Sequence, residues 1–223
     1  MSEITLIRHG QASFGSQNYD QLSTLGQQQA IWLGTHWQQL NANVERIVIG
    51  SMVRHRQTAE GILQGLERTI PLEVHEGLNE YNFQGLLNPL RAQYPQLWQE
   101  TGHAKRDYYV NMKHALGLWM DGTIDNDGQD SWSSFCQRIR EGFQFAYQTK
   151  AKRTLVISSG GPISVILADV LKHDHDTTRN ITLQIKNSSC SKLLYNGKNF
   201  SLDSFNDISH LLTTDKQSSI TFS

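Results

Sequence analysis

Hydrophobic positions along this chain change period repeatedly, and the changes delimit its elements. Ile4-Thr5-Leu6-Ile7 is a short apolar run that stops at charged residues, the pattern of a strand buried on both faces. Leu22-Ser23-Thr24-Leu25-Gly26 then leads into Gln27 to Leu40, where Ala30, Ile31, Leu33, Gly34, Trp37 and Leu40 keep near-helical spacing, with Ser23 placed to cap the helix. Arg46-Ile47-Val48-Ile49 reads as a second buried strand, Gly50-Ser51 as a turn, and Met52 to Leu66 as a helix. A third strand is predicted from Pro71 to His75.

Residues 84 to 130 interrupt this rhythm. They hold aromatics, two of the four prolines and a turn-rich stretch from Asp121 to Asp130, which predicts helices and loops capping a site. Regular alternation resumes with an amphipathic helix from Trp132 to Tyr147, the apolar strand Thr154-Leu155-Val156-Ile157, and a helix from Pro162 to Leu171 after the turn Ser158-Ser159-Gly160-Gly161. Ile181 to Asn187, Ser191 to Tyr195 and Ser201 to Phe205 read as closing strands. The expected architecture is α/β: a three-layer sandwich with a mostly parallel central sheet, one domain over residues 1–223, a cap insertion at 84–130 and a mobile tail at 213–223.

Composition narrows what such a domain does. Lys and Arg number 20 against 21 Asp and Glu, so no overall basic field exists to hold nucleic acid or an anionic membrane, and any anion site has to be local. No apolar run reaches the length of a membrane span and no leader pattern opens the chain. Cys136 and Cys190 are too few for a disulfide framework and read as packed thiols of a cytoplasmic protein.

In parallel sheets ligands bind beyond the carboxyl ends of the strands, and Arg8-His9-Gly10 falls at such an end. A cation and a histidine after a buried strand, followed by a residue that permits close backbone approach, suit a phosphohistidine nucleophile. Ser51 and Arg54 lie at the next strand-to-helix junction, where helix-terminal amides add positive potential and a guanidinium offers a fork matched to phosphoryl oxygens. Glu80, in the loop after the third strand, is placed to protonate a leaving oxygen, and burial near phosphate would raise its pKa. Each residue alone has a plainer structural use: a core histidine, a solvated helix arginine, a turn glutamate.

Together they resemble a family. LIRHG, SMVRHRQTA, LNEYNFQG and a late strand followed by SSGGP occur in the order found in the histidine phosphatase superfamily, which includes cofactor-dependent phosphoglycerate mutases. The resemblance extends to Gly128-Gln129-Asp130-Ser131 and to the stretch from Phe205 to Leu211, so it covers nearly the whole chain. It implies a phosphoglycerate mutase-like fold, phosphorylation of His9, phosphoryl binding by Arg8 and Arg54, proton donation by Glu80, and a small phosphorylated substrate; neither a cofactor nor a metal is expected. Gly160 and Ser159 are further candidates at the phosphate, with Gly10 and Ser51 beside them.

One position departs from the pattern: Ser159 stands where the family has a second histidine before a glycine. A hydroxyl donates one hydrogen bond but carries no positive charge, and loss of one transition-state donor typically costs about a hundred- to a thousandfold in rate. Three readings follow: a slow phosphomonoester hydrolase, an impaired relative that binds a phosphorylated ligand or a partner protein, and a mutase-like transferase. His55 is not expected to substitute, because adjacent helical residues diverge and Arg54 already faces the site. His173-Asp174-His175-Asp176 reads as a solvated loop rather than a metal site. Tyr81, Phe83, Tyr94, Trp98, Tyr108, Tyr109 and Trp119 could wall a leaving-group site or pack a helical layer, and Arg91, Lys105 and Arg106 could favour an acidic substrate or lie in solvent.

Overall fold

A computed structural model describes residues 1–13 and 20–222. Its six strands form one sheet: β1 (Ser2–Arg8), β2 (Arg46–Ile49), β3 (Leu72–Val74), β4 (Arg153–Ser158), β5 (Cys190–Tyr195) and β6 (Phe200–Asp207), in the order β3-β2-β4-β1-β5-β6. β3, β2, β4 and β1 run parallel, while β5 pairs antiparallel with β1 and β6 antiparallel with β5. The sheet is mixed and mostly parallel at its centre, as the alternating strand and helix patterns require.

Seven helices among the described residues cover it: α1 (Thr24–Gln39), α2 (Val53–Leu66), α3 (Phe83–Gln93), α4 (Ala104–Met120), α5 (Trp132–Tyr147), α6 (Gly160–Leu171) and α7 (His175–Gln184). On one face, Ala30 and Leu33 of α1 and Ala59 and Ile62 of α2 pack against Ile7, Ile47, Ile49 and Ile157. On the other, Ile4, Leu6, Val48 and Val156 meet a larger cluster from α3 to α6 built around Leu86, Trp119, Phe135 and Ile163. Alternate residues of β1 and β4 thus feed opposite cores, which is why their sequences read as unbroken apolar runs.

Most element boundaries agree with the sequence within a few residues. The Ser23 hydroxyl accepts from the Gly26 amide at 3.0 Å and caps α1 as expected. The β4–α6 turn is tighter than expected: α6 starts at Gly160 with Ser159 at its N-cap, and Pro162 falls within the first turn. Residues 84–130 fold chiefly as α3 and α4, which pack on each other, with α4 against α7.

Ile181 to Asn187 is not a strand. Its first residues finish α7, and the chain then loops to β5. The alternation of Ile181, Leu183 and Ile185 imitates a strand, but Asp174 caps the helix by accepting from the Thr177 amide at 2.8 Å. Thr178 and Thr182 return their hydroxyls to the carbonyls four residues back, at 2.7 and 2.9 Å, so helical burial outweighs their β-branched preference. The chain after Leu212, expected to be loose, is docked: the Gln29 amide donates to the Ser219 carbonyl at 2.7 Å and the Asn187 amide to the Thr221 carbonyl at 3.0 Å.

Candidate active site

β1 and β4 are neighbours in register, with Arg8 opposite Ser158, so His9 and Ser159 emerge side by side where the two strands end. His9 is 3% exposed. Its Nδ1 lies 2.7 Å from the Gly10 carbonyl oxygen, which can only accept, so the proton resides on Nδ1. Its Nε2 lies 3.2 Å from Arg54 Nε, which can only donate, so the lone pair is on Nε2. Burial, then the charges of Arg54 and Arg8 and the proximity of His55, hold the ring well below the usual histidine pKa. A neutral imidazole with its lone pair on Nε2 is the nucleophilic form.

Arg54 comes from the first turn of α2 and is 3% exposed. Asp20 holds it: Oδ1 accepts from Arg54 Nη1 at 2.8 Å, while Oδ2 accepts from the Val53 amide at 2.9 Å and caps α2 from another segment. Arg8 is buried at the end of β1 and donates from Nη1 to the Ile185 carbonyl. Thr58 Oγ1 accepts from the Gly10 amide at 3.2 Å and donates to the Arg54 carbonyl at 2.7 Å, tying the two segments together.

Glu80 enters from the loop after β3. Its Oε2 accepts from the Gly161 amide at 3.1 Å and its Oε1 from the Tyr81 amide at 3.2 Å. Burial raises its pKa despite these amides and the two arginines, which pull it down. A Cβ at position 161 would sit 2.2 Å from Glu80 Oε1, so only glycine lets the carboxyl rest on the α6 backbone. Arg138 of α5 fixes the loop by donating to the carbonyls of Gly77 and Asn79, at 3.2 and 2.7 Å, while Asp130 accepts from its Nε at 2.8 Å.

The structure therefore gathers Arg8, His9, Arg54, Glu80 and Gly160 around one pocket. Its outer lining includes Tyr81, Phe83, Tyr108, Met112, Thr182 and Leu183. Two candidates play other parts. Ser51 is exposed and pairs with Asn79, its amide donating to Oδ1 at 2.8 Å. The Cα of Gly10 packs against α1, since a Cβ there would lie 2.3 Å from the Gly26 carbonyl, and this crossing rather than a ligand demands glycine. A wider groove at the amino ends of β1 and β4, lined in part by Glu3, His36, Arg153 and Lys192, lies at the end of the sheet opposite these groups.

Sequence reasoning missed Asp20, Arg138 and His55. The first two are ordinary surface residue types whose partners are distant in sequence, and nothing local marks them. His55 was set aside because of its place next to Arg54, yet it is fully buried, its ring centroid 5.8 Å from that of His9. The first turn of α2 is wedged beneath the strand ends, so two adjacent residues both face inward. His55 Nε2 lies 2.8 Å from Ser159 Oγ, and burial, then Arg54, keeps its pKa well below the ordinary value.

A model of the histidine phosphatase superfamily (branch 1) matches residues 4–208. The chain belongs to that superfamily. Solved structures share the fold of this histidine phosphatase superfamily member. They include a phosphoglycerate mutase from Bacillus anthracis, 18% identical with a TM-score of 0.66, covering 94% of each chain. A phosphoserine phosphatase variant from Entamoeba histolytica in complex with phosphoserine is 19% identical with a TM-score of 0.66, covering 95% of this chain and 100% of that one. A mycobacterial glucosyl-3-phosphoglycerate phosphatase is 21% identical with a TM-score of 0.63, covering 92% and 99%. No curated protein sequence matches the chain. At these identities the structural likeness is one of fold, and membership supports phosphoryl hydrolysis or transfer. Among the described residues no group of three or more His, Cys, Asp or Glu side chains could hold a metal, and no helix is long and apolar enough to cross a membrane.

Proposed function

We propose that the protein is a phosphomonoester hydrolase that works through a phosphohistidine on His9. The observation that carries this reading is the pair of hydrogen bonds on His9, which put the proton on Nδ1 and the lone pair on Nε2 beside Arg54. In the first step Nε2 attacks phosphorus and the P–O bond to the leaving group breaks. Glu80, whose pKa burial raises toward the protonated form, gives its proton to the departing oxygen. Arg8, Arg54 and the amide end of α6 at Gly160 neutralise the equatorial oxygens. In the second step water attacks phosphorus, its proton passes to the Glu80 carboxylate, and the P–N bond breaks to release inorganic phosphate.

Hydrolysis is favoured over mutase chemistry because it needs only water entry, whereas a mutase must hold its intermediate and re-donate the phosphoryl group. The substrate is a small phosphate monoester. Beyond Arg8 and Arg54 the described lining holds no cation, and Phe83, Tyr108, Met112 and Leu183 suit a leaving group with apolar character. Arg91 lies outside that lining and pairs with Glu100 in solvent. Cys136 and Cys190 are buried and unpaired, in keeping with work in the cytoplasm.

The test is phosphate release from a panel of phosphate monoesters by the wild type and His9→Ala, with acid-labile phosphate on the protein trapped by rapid quench. Histidine-dependent release of at least about a thousandfold over the variant is expected. Equal release by both proteins favours the binding relative instead.

A further inference from the structure

The histidine missing at position 159 leaves a gap in the chemistry of the pocket, and the structure fills the space with a different imidazole. Ser159 follows Ser158, the ladder partner of Arg8, so its side chain starts from the strand next to His9. Its hydroxyl does not cap α6, although it occupies the N-cap position where serine usually does so. Its sole hydrogen-bond partner among the described residues is His55 Nε2 at 2.8 Å. His55 Nδ1, in contrast, is buried without a partner beside Gly50, where a Cβ would lie 2.3 Å from it.

These contacts assign the proton. A buried N–H without an acceptor costs more than an idle lone pair, so the hydrogen sits on Nε2 and is donated to Ser159 Oγ. The hydroxyl hydrogen of Ser159 is then left to point elsewhere; Ser159 itself is buried behind the lining, directly before Gly160, which lines the pocket together with His9. We propose that His55 is a positioning residue that turns the Ser159 hydroxyl into a donor for the phosphoryl oxygens, so that an imidazole–hydroxyl pair from α2 and the β4–α6 junction does the work of one histidine. This inference rests on the phosphohistidine reading. It predicts a working pocket where the sequence pointed to a weakened one.

Steady-state kinetics with p-nitrophenyl phosphate on the wild type, S159A, H55A, S159A/H55A and H55A/S159H tests it, with circular dichroism melts confirming that each folds. S159A removes one oxygen and leaves the His55 Nε2–H without its acceptor, a change small enough for the melts to follow. S159A and H55A are each expected to lower kcat by roughly tenfold to a hundredfold with KM changed less than about threefold. The double alanine variant should be no slower than the worse single, because the pair acts as a unit. H55A/S159H, which moves the ring back into the space its removal vacates, should recover to within about tenfold of wild type. Losses that multiply, wild-type turnover in H55A, or a swap variant no faster than H55A would overturn the inference.

His9→Ala in the same assay separates the two readings. Turnover that survives in His9→Ala removes the phosphohistidine, whatever happens at 55 and 159. Loss there together with wild-type rates in H55A removes only the role of His55. Orthovanadate, which adopts the trigonal bipyramid of phosphoryl transfer, gives a readout free of turnover. Calorimetry should show its affinity falling at least about tenfold in H55A while that of inorganic phosphate holds within about threefold. Equal losses for both anions would overturn the role and leave only a packing effect.

Discussion

The two ends of the pocket are built by different means. At the inner end, His9 and Ser159 follow paired positions of β1 and β4, Arg54 lies in the first turn of α2 and Gly160 opens α6, so the sheet and the helix starts set where each group begins. At the leaving-group end, Phe83 opens α3, Tyr108 and Met112 lie on α4, and Leu183 ends α7. There, side chains of separate helices pack on one another, as between Phe83 and Tyr108, whose ring centroids lie 6.4 Å apart edge to face. A frame shared by the sheet preserves chemistry, while a helical layer laid on it is free to change the substrate. Glu80 joins the two: its carboxyl rests on the α6 amide, but its loop is clamped by Arg138 from α5.

Breaking that junction should have the largest effect beyond loss of His9 itself. Glu80→Gln is expected to lower kcat/KM by about a hundred- to ten-thousandfold for poor leaving groups and less for p-nitrophenolate, which departs without a proton. The pH profile sharpens the point. Glu80 is raised and must be protonated to act, so wild-type activity falls as pH rises through its pKa. His9 is lowered and must be neutral, so activity falls only when pH drops through a value well below the usual histidine range. The optimum should therefore lie on the acid side, and Glu80→Gln should abolish the basic limb while leaving the acid limb in place. Survival of the basic limb would assign the proton to another group.

At the far end, Phe83→Ala and Tyr108→Ala should raise KM for an aromatic monoester by roughly three- to thirtyfold, with kcat little changed, because they remove binding that ground and transition states share. For a small polar monoester the change should be under about threefold. A fall in kcat for both substrates would mean that the helical layer shapes the inner end after all. The smallest effect concerns Asp20, whose carboxylate counters Arg54 across 2.8 Å. Asp20→Asn keeps an acceptor for the Val53 amide while removing the negative charge beside the guanidinium, so inhibition by inorganic phosphate should tighten about two- to fivefold, and unchanged inhibition would show that Asp20 only caps α2.

Much of this frame could be read from residue order. Four apolar runs with breakers after them located the parallel strands, and two of the groups that line the pocket follow the strand ends in LIRHG and SSGGP. Ile181 to Asn187 was misread because strand alternation and the last turn of a capped helix share the same pattern over a few residues, and only the tertiary burial of Thr178 and Thr182 separates them. Asp20 and Arg138 left no local trace, since their meaning lies in partners 34 and 59 positions away.

Period and punctuation along the chain determined the alternation of strand and helix, and with it the sheet edge at which ligands bind, because these depend on neighbours within a few residues. That a second imidazole lies beside Ser159 was decided only in three dimensions. Sequence alone shows Ser159 and a histidine 104 positions earlier as unrelated residues; the close approach of α2 to the β4–α6 junction puts them 2.8 Å apart. Contacts of that kind depend on how helices settle onto the sheet, a balance of packing spread over the whole core that no single segment encodes.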